Sequence, residues 1–329
     1  MELNNHFKKI QELIETHDTF LLISHIHTDG DALGSILALY HYLTRLGKTV
    51  EAVVPGKIPA QYAFLPGIQT VNRLSDRETL QYIRQAEVTF ILDISALERM
   101  ERWYEPVMQS EAVKICIDHH PGSCLNVDLA LIDDRRIATA EIIYEFFESV
   151  GAKLNREIAL CLYTGILSDS GSFRFEGTDT FTLSMAAELT KFDIDPAWVY
   201  RQVFERSSKA QLRFWGHVLS NLQWEDHIDW AVVTKQTMDR FGVTIEDMNG
   251  LVDIIRRDAS ANVFVMFVEN SNKEIMVGLR SKDGFNVGEI ARMFGGGGHF
   301  HAAGFSSFQP METVVEQTLK AIKEKKARN

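Results

Sequence analysis

Four apolar runs in this chain each lead into side chains that can hold a metal ion. FLLIS leads into His25, VTFIL into Asp93, VKICI into Asp118-His119-His120, and IALCLYTGILS into Asp169. Imidazole nitrogens and carboxylate oxygens together suit manganese, magnesium or a similar divalent ion, and not a thiolate-rich zinc site. A carboxylate at the end of an apolar strand is costly unless a cation or hydrogen bonds answer it. The first motif continues as His25-Ile26-His27-Thr28-Asp29-Gly30-Asp31, adding two carboxylates on a glycine-containing turn. Each residue has a plainer reading by itself. Asp31 can cap a helix, Asp-Gly is a common turn, and Asp169 can be another cap or turn residue. Four strand or helix ends of the same chemistry favour one shared site. In an open α/β sheet, ligands bind in the crevice beyond the carboxyl ends of the strands.

The elements that must position these residues follow from periodicity. Residues 19–23 read as a strand, and Ile36, Leu39, Tyr40, Leu43 and Leu46 give a helix from about Ala32 to Leu46, stopped by Gly47. TVEAVVP, EVTFILD and VKICIDHH read as further strands, with a helical stretch near Leu97–Met108. AEIIYEFFESVG and residues 155–168 read as helices, and Phe7, Ile10, Leu13 and Ile14 mark one face of a first amphipathic helix. This alternation predicts an α/β protein: a mostly parallel N-terminal sheet flanked by helices. The division expected is a domain over 1–190, a helical connector over 191–222 and a smaller C-terminal α/β domain over 223–329.

The composition sets bounds. The 329 residues are 45% hydrophobic and 24% charged, as in ordinary globular proteins. No run approaches the ~20 apolar residues of a membrane span. The N-terminus shows no signal-peptide pattern. Cys116, Cys124 and Cys161 form no CxxC pair, and the expected setting is the reducing cytoplasm. The net charge of −11 argues against a long grip on duplex nucleic acid. A small anionic substrate remains compatible, because metal ions supply a local positive field.

The second domain carries Gly295-Gly296-Gly297-Gly298-His299-Phe300-His301-Ala302-Ala303-Gly304. Such a run can turn backbone N–H groups toward a phosphate, or be a loose loop. A nearby strand ends in Arg280-Ser281-Lys282, and Arg280 offers a planar fork suited to phosphate.

Together these motifs resemble the DHH phosphoesterase superfamily, whose Asp-His-His triplet stands at 118–120. The GGGHxxAAG pattern at 296–304 resembles that of the DHH-associated second domain, and size and both motifs resemble the short-RNA-degrading NanoRNase branch, of oligoribonuclease and pAp phosphatase type. The resemblance runs from about Phe20 to Phe305. It implies that His25, Asp29 and Asp93 hold one metal ion, and that Asp31, Asp93, His119 and Asp169 hold a second, with Asp93 bridging. His120 would face the substrate phosphate or help protonate the leaving group, and Asp118 would orient a neighbouring histidine. Arg280, Ser281, Gly296, Gly297, Gly298 and His299 would bind substrate from the second domain, with the active site in the interdomain cleft. His27-Thr28 and Ile94-Ser95-Ala96 depart from the family pattern, without removing a ligand.

The function so implied is two-metal hydrolysis of phosphoesters, with Mn²⁺ as the first choice of ion and Mg²⁺ or Co²⁺ as alternatives. Substrates would be single-stranded RNAs of about two to five nucleotides by family analogy, including pApA and pGpG, and 3′-phosphoadenosine 5′-phosphate (pAp). No membrane or long duplex partner is expected, and a homodimer is left open. The alternatives are a dedicated pApA hydrolase, a pyrophosphatase or exopolyphosphatase of the same superfamily, and a non-catalytic nucleotide-binding module. The last requires a lost ligand, and none is lost.

Overall fold

The computed structural model describes residues 2–327, except Ser95, 122–125, Asn249, Asp283 and His299, with the side chains of residues 2–4 also left aside. The expected substrate contact at His299, and Ser95 of the departing segment, therefore lie outside the described residues. The chain forms two compact units, Met1–Arg206 and Ser207–Asn329.

The first unit contains α1 (Glu2–Thr16), β1 (Thr19–Ile23), α2 (Gly30–Arg45), β2 (Thr49–Val53), α3 (Asp76–Gln85), β3 (Val88–Leu92), α4 (Tyr104–Gln109), β4 (Val113–Asp118) and β5 (Leu129–Ile132). Four helices complete it: α5 (Thr139–Ser149), α6 (Arg156–Asp169), α7 (Thr180–Thr190) and α8 (Pro196–Phe204). The five strands are all parallel and lie in the order β2-β1-β3-β4-β5. Side chains along each strand alternate between two cores. Phe20, Leu22, Phe90, Leu92, Ile115 and Ile117 face one core, which takes in Phe7, Ile10 and Ile14 of α1 and the apolar sides of α2, α5 and α6. Leu21, Ile23, Ile91 and Cys116 face the other, with Ile83 of α3 and Val107 of α4. Coverage of both faces is why these strands read as continuous apolar runs. Two elements of this unit were not anticipated. The short β5 extends the sheet past β4, and α3 is opened by a capping box between Ser75 and Glu78.

Helices α2 and α6 approach closely through glycine. A Cβ on Gly34 would lie 2.4 Å from the Cys161 carbonyl oxygen. A Cβ on Gly165 would lie 2.6 Å from Ala140 Cβ and 2.8 Å from Asp31 Oδ1. Gly165→Ala is therefore expected to force α2, α5 and α6 apart at a metal-ligand candidate, costing roughly 1–3 kcal/mol as overpacking does. A lowered melting temperature together with weaker divalent-ion binding by calorimetry is the expected result. Unchanged values for both would show that the contact is not tight.

The second unit contains α9 (Lys209–Ser220), β6 (Gln223–Glu225), β7 (Ile228–Val233), α10 (Lys235–Phe241), α11 (Leu251–Ile255), β8 (Val263–Glu269) and β9 (Ile275–Ser281). It ends with α12 (Val287–Met293), β10 (Gly297–Gly298), β11 (Ala302–Ser307) and α13 (Met311–Lys326). Its sheet has the order β10-β11-β9-β8-β7-β6, with only β7 and β8 parallel. It also has a core on each face: Val263, Val265 and Phe267 point to one, Phe264, Met266 and Val268 to the other. The helices read as a connector divide between the units. Val199 and Val203 of α8 belong to the first unit's core, and Phe214 and Val218 of α9 to the second's.

Candidate metal centre

The strand order places β1 between β2 and β3, so the direction of winding reverses between β1 and β3. The crevice at such a reversal is where open α/β sheets bind ligands. The pairings Ile23 with Ile91 and Leu92 with Ile117 bring the carboxyl ends of β1, β3 and β4 level. His25 lies just past β1, Asp93 just past β3, and Asp118 closes β4.

Asp93 is the meeting point. Its Oδ2 lies 3.5 Å from His25 Nε2, and its Oδ1 lies 3.5 Å from His119 Nε2 and 3.7 Å from His120 Nδ1. Its backbone sits at φ 53°, in the left-handed region, where Asp and Asn are tolerated better than most side chains. The Asp93 amide is tied to the Ile117 carbonyl at 3.0 Å, and Thr139 Oγ1 donates to its Oδ1 at 3.3 Å. Burial works against the Asp93 charge, yet contacts from His119 and His25 hold its carboxyl well below the usual range.

The carboxylates of the first loop are held by helix ends. Asp29 caps α2, its Oδ1 accepting from the amides of Asp31 and Ala32. Asp31 is the first-turn acid of α2, and it also serves a second helix. Ala138, at the start of α5, gives no side-chain cap. The Asp31 carboxylate takes that place, accepting from the amides of Thr139 at 2.5 Å and Ala140 at 2.9 Å. Helix N-termini present unpaired N–H groups that favour a negative charge. Asp169, the last residue of α6, brings its Oδ2 within 3.3 Å of His119 Nε2.

Two groups of ligand atoms result. His25, Asp29 and Asp93 form one, and Asp31, His119 and Asp169 form another, each with its atoms within 4.8 Å of one another. A third grouping joins Asp93 to Asp118, His119 and His120. The electrostatics show what such a set needs. Burial, then Asp169 and Asp93, push the Asp29 carboxyl up to about 7, although 46% of its side chain stays exposed at the rim. Burial, then Asp93 and Asp169, raise Asp31 well above the usual carboxylate range. Four carboxylates crowd each other here, and a divalent cation is the species that relieves the crowding. The oxygen-rich donor set with two imidazoles therefore fits a hard or borderline divalent ion.

Asp118 has another task. It is fully buried, and its Oδ1 accepts from His120 Nδ1 at 2.7 Å and from the His120 amide at 3.2 Å. His120 is thereby fixed with its Nδ1 toward Asp118. His119 Nδ1 lies 3.3 Å from the Arg136 carbonyl oxygen, which can only accept.

In the second unit, Gly296–Gly298 are not a loose loop. Gly297 and Gly298 pair with Gly304 and Ala303 of β11. A Cβ on Gly296 would lie 2.2 Å from the Gly304 carbonyl oxygen, so this backbone approach requires glycine. Arg280 stands opposite Ala302, and burial lowers the pKa of its guanidinium. Ser281 is buried. Its hydroxyl donates to the Phe285 carbonyl at 2.6 Å and lies 2.9 Å from His301 Nδ1, which makes it a support for His301.

Family models agree with both units. That of the DHH family N-terminal domain matches residues 19–166, and that of the DHHA1 domain matches residues 231–327. The bifunctional oligoribonuclease and PAP phosphatase NrnA of Thermus thermophilus is 30% identical over 312 residues, covering 93% of this chain and 90% of that protein. The chain belongs to the DHH phosphoesterase family. The protein of the same name from Bacillus subtilis is 29% identical over 304 residues, covering 90% of this chain and 93% of that one. The crystal structure of an exopolyphosphatase-related protein from Bacteroides fragilis superimposes with a TM-score of 0.92 at 28% identity, covering 97% of this chain and 96% of that one. DHH phosphoesterases use divalent metal ions, and the side chains gathered here are of the type such ions require.

Sequence reasoning missed several residues that shape this DHH site. Thr139 serves both Asp93 and Asp31. Tyr62 is buried beside Gly30, with its hydroxyl 3.5 Å from Ser168 Oγ, and burial plus the Asp29 charge push it up to about 12. Arg99 lies 3.5 Å from His25 Nδ1. The only local signal was the ATAE run at 138–141, where a helix starts on alanine and its cap has to come from elsewhere. In the departing His27-Thr28 pair, His27 is exposed and the Thr28 hydroxyl donates to the His25 carbonyl at 3.0 Å. That contact supports the ligand loop. Among the described residues no helix is long and apolar enough to cross a membrane.

Proposed function

We propose that this chain hydrolyses short single-stranded RNA, including pApA and pGpG, to mononucleotides, and converts pAp to AMP, with two divalent ions, Mn²⁺ first among them. The observation that carries the reading is the convergence of His25, Asp29, Asp31, Asp93, His119 and Asp169 at one sheet end, with Asp93 between the two groups. The names of the Thermus and Bacillus relatives support the substrate class. Bound divalent ions would activate a water molecule and offset charge on the phosphate. The chain's residues do the rest. Asp93 bridges the two ligand groups. Asp31 is held rigid by the start of α5, so that ligand positions do not drift. Asp118 fixes His120, which faces the substrate phosphate or helps protonate the leaving oxygen. Arg280, the Gly296–Gly298 backbone and His299 bind the substrate, and Ser281 supports His301. A cytoplasmic setting and a preference for short single strands over long duplexes belong to the same proposal.

The test compares pApA, a five-nucleotide RNA, a long RNA, pAp, pyrophosphate and polyphosphate, with Mn²⁺ and with EDTA. The expected result is mononucleotide release from the short RNAs and phosphate release from pAp, both lost in EDTA, with long RNA spared. Hydrolysis of pApA alone would favour a dedicated dinucleotide hydrolase. Activity confined to pyrophosphate or polyphosphate would overturn the substrate class while keeping the metal centre.

A further inference from the structure

Residues 133–141 run from the end of β5 into the first turn of α5 and meet the metal centre several times. The Asp133 amide donates to the Asp118 carbonyl at 3.1 Å. The Arg136 carbonyl lies 3.3 Å from His119 Nδ1. The Thr139 and Ala140 amides donate to the Asp31 carboxylate, and the Thr139 hydroxyl donates to Asp93 Oδ1. The groups that meet His119 and Asp31 are backbone atoms. Their positions therefore depend on how this segment is fastened.

The Arg136 side chain does the fastening. Its guanidinium lies over the Phe181 ring at 3.8 Å, its Nη2 donates to Glu145 Oε2 at 2.6 Å, and its Nε stands 3.8 Å from Asp133 Oδ2. One planar group thus joins α5, α7 and the end of β5. A flat, forked cation can stack on a ring and meet carboxylates in its own plane, which the point charge of a lysine does less well. Buried Glu141 adds a parallel tie, accepting from the Ile137 amide at 3.2 Å and from the Thr182 hydroxyl of α7. Helix α7 follows Asp169 through residues 170–179, so the same clamp bounds the chain that leaves Asp169. The other ligand group is held by different elements. Asp29 accepts from amides of α2, and the His25 loop is tied by the Thr28 hydroxyl to the His25 carbonyl and by the Ile26 amide to the Arg99 carbonyl.

We propose that Arg136 is a positioning residue for one of the two ion sites, that of Asp31, His119 and Asp169: by clamping 133–141 between α5 and α7, it sets the backbone groups that hold His119 and Asp31. Partners that orient metal ligands govern affinity although they never touch the ion. The inference rests on the metal centre of the proposed function, and its test separates the two.

The test uses the full-length protein. Mn²⁺ binding by calorimetry is compared for wild type, Arg136→Met, Arg136→Lys and Glu145→Gln, with Asp29→Asn and Asp169→Asn marking which ion is which. The expected result for Arg136→Met is one ion, the one lost in Asp169→Asn, bound about 10-fold or more weakly, with the other changed less than about 3-fold. Arg136→Lys should recover part of that loss. Glu145→Gln, which removes one partner and leaves the arginine in place, should show a smaller effect at the same ion. In metal-free Arg136→Met, the Thr139 and Ala140 amides should exchange hydrogen faster than in wild type, because the segment opens locally more often. For pApA, kcat should fall at limiting Mn²⁺ and recover in excess, with KM changed less. Equal weakening of both ions, selective loss of the ion marked by Asp29→Asn, or unchanged affinity in both Arg136→Met and Glu145→Gln would overturn the proposal. So would unchanged exchange at Thr139 and Ala140. A wild-type chain that binds no Mn²⁺ would instead sink the metal-centre reading, and this inference with it.

Discussion

Asp93→Asn is expected to lower hydrolysis of pApA by about 10³-fold or more, because two ligand groups lose the carboxylate they share and metal charge stabilisation contributes several kcal/mol. Asparagine is the informative replacement. It keeps the shape of the side chain and tolerates the left-handed backbone at φ 53°. Alanine would remove the charge and also place a less tolerant residue at a strained position, mixing two effects. Calorimetry should show Mn²⁺ binding weakened in both groups, while the melting temperature stays within a few degrees of wild type. Near-normal turnover would remove Asp93 from the bridging role. Loss of one ion only would assign it to a single group.

Cutting the chain after Arg206 is expected to leave a folded, Mn²⁺-binding unit that has lost nearly all activity on pApA. Independent folding follows from the cores. Those of the first unit run from Phe7 to Val203 and take nothing from beyond residue 206. A cut at Leu222 would be a poorer experiment, because it would strand α9, whose Phe214 and Val218 belong to the second unit's core. With Arg280 and the glycine hairpin gone, KM for pApA should rise by about 30-fold or more, as loss of several charged and backbone phosphate contacts implies. A phosphodiester with no second phosphate for that unit to hold should suffer far less. Equal pApA kinetics in the truncated and full chains would mean that the second unit does not bind substrate.

The prediction at Gly165 concerns what surrounds the ligands, and that is where sequence and structure part. Periodicity and turn chemistry act over about ten residues. They were enough to place β1, β3 and β4, and with them His25, Asp93 and the 118–120 triplet at strand ends. The capping box at Ser75 and Glu78 was equally local, so α3 was legible in the sequence and was passed over. β5 is four residues long, and its pairing with β4 leaves too short a pattern to read. The glycine run was legible as special, but whether it was loose or paired depended on β11 passing within 2.2 Å of where a Gly296 Cβ would stand.

By itself the sequence determined the fold class, the likeness to DHH phosphoesterases and the residue types of the metal centre, because strand periodicity and motif order are written along the chain. Tertiary structure alone decided how those residues are held. Asp31 caps a helix that begins 108 residues later, Thr139 reaches back 46 residues to Asp93, and Arg99 lies 74 residues from the histidine it touches. Such contacts are made by the packing of α2, α5 and α6 and by the docking of one loop on another. They follow from the summed burial of two cores, and no local pattern of residues encodes them.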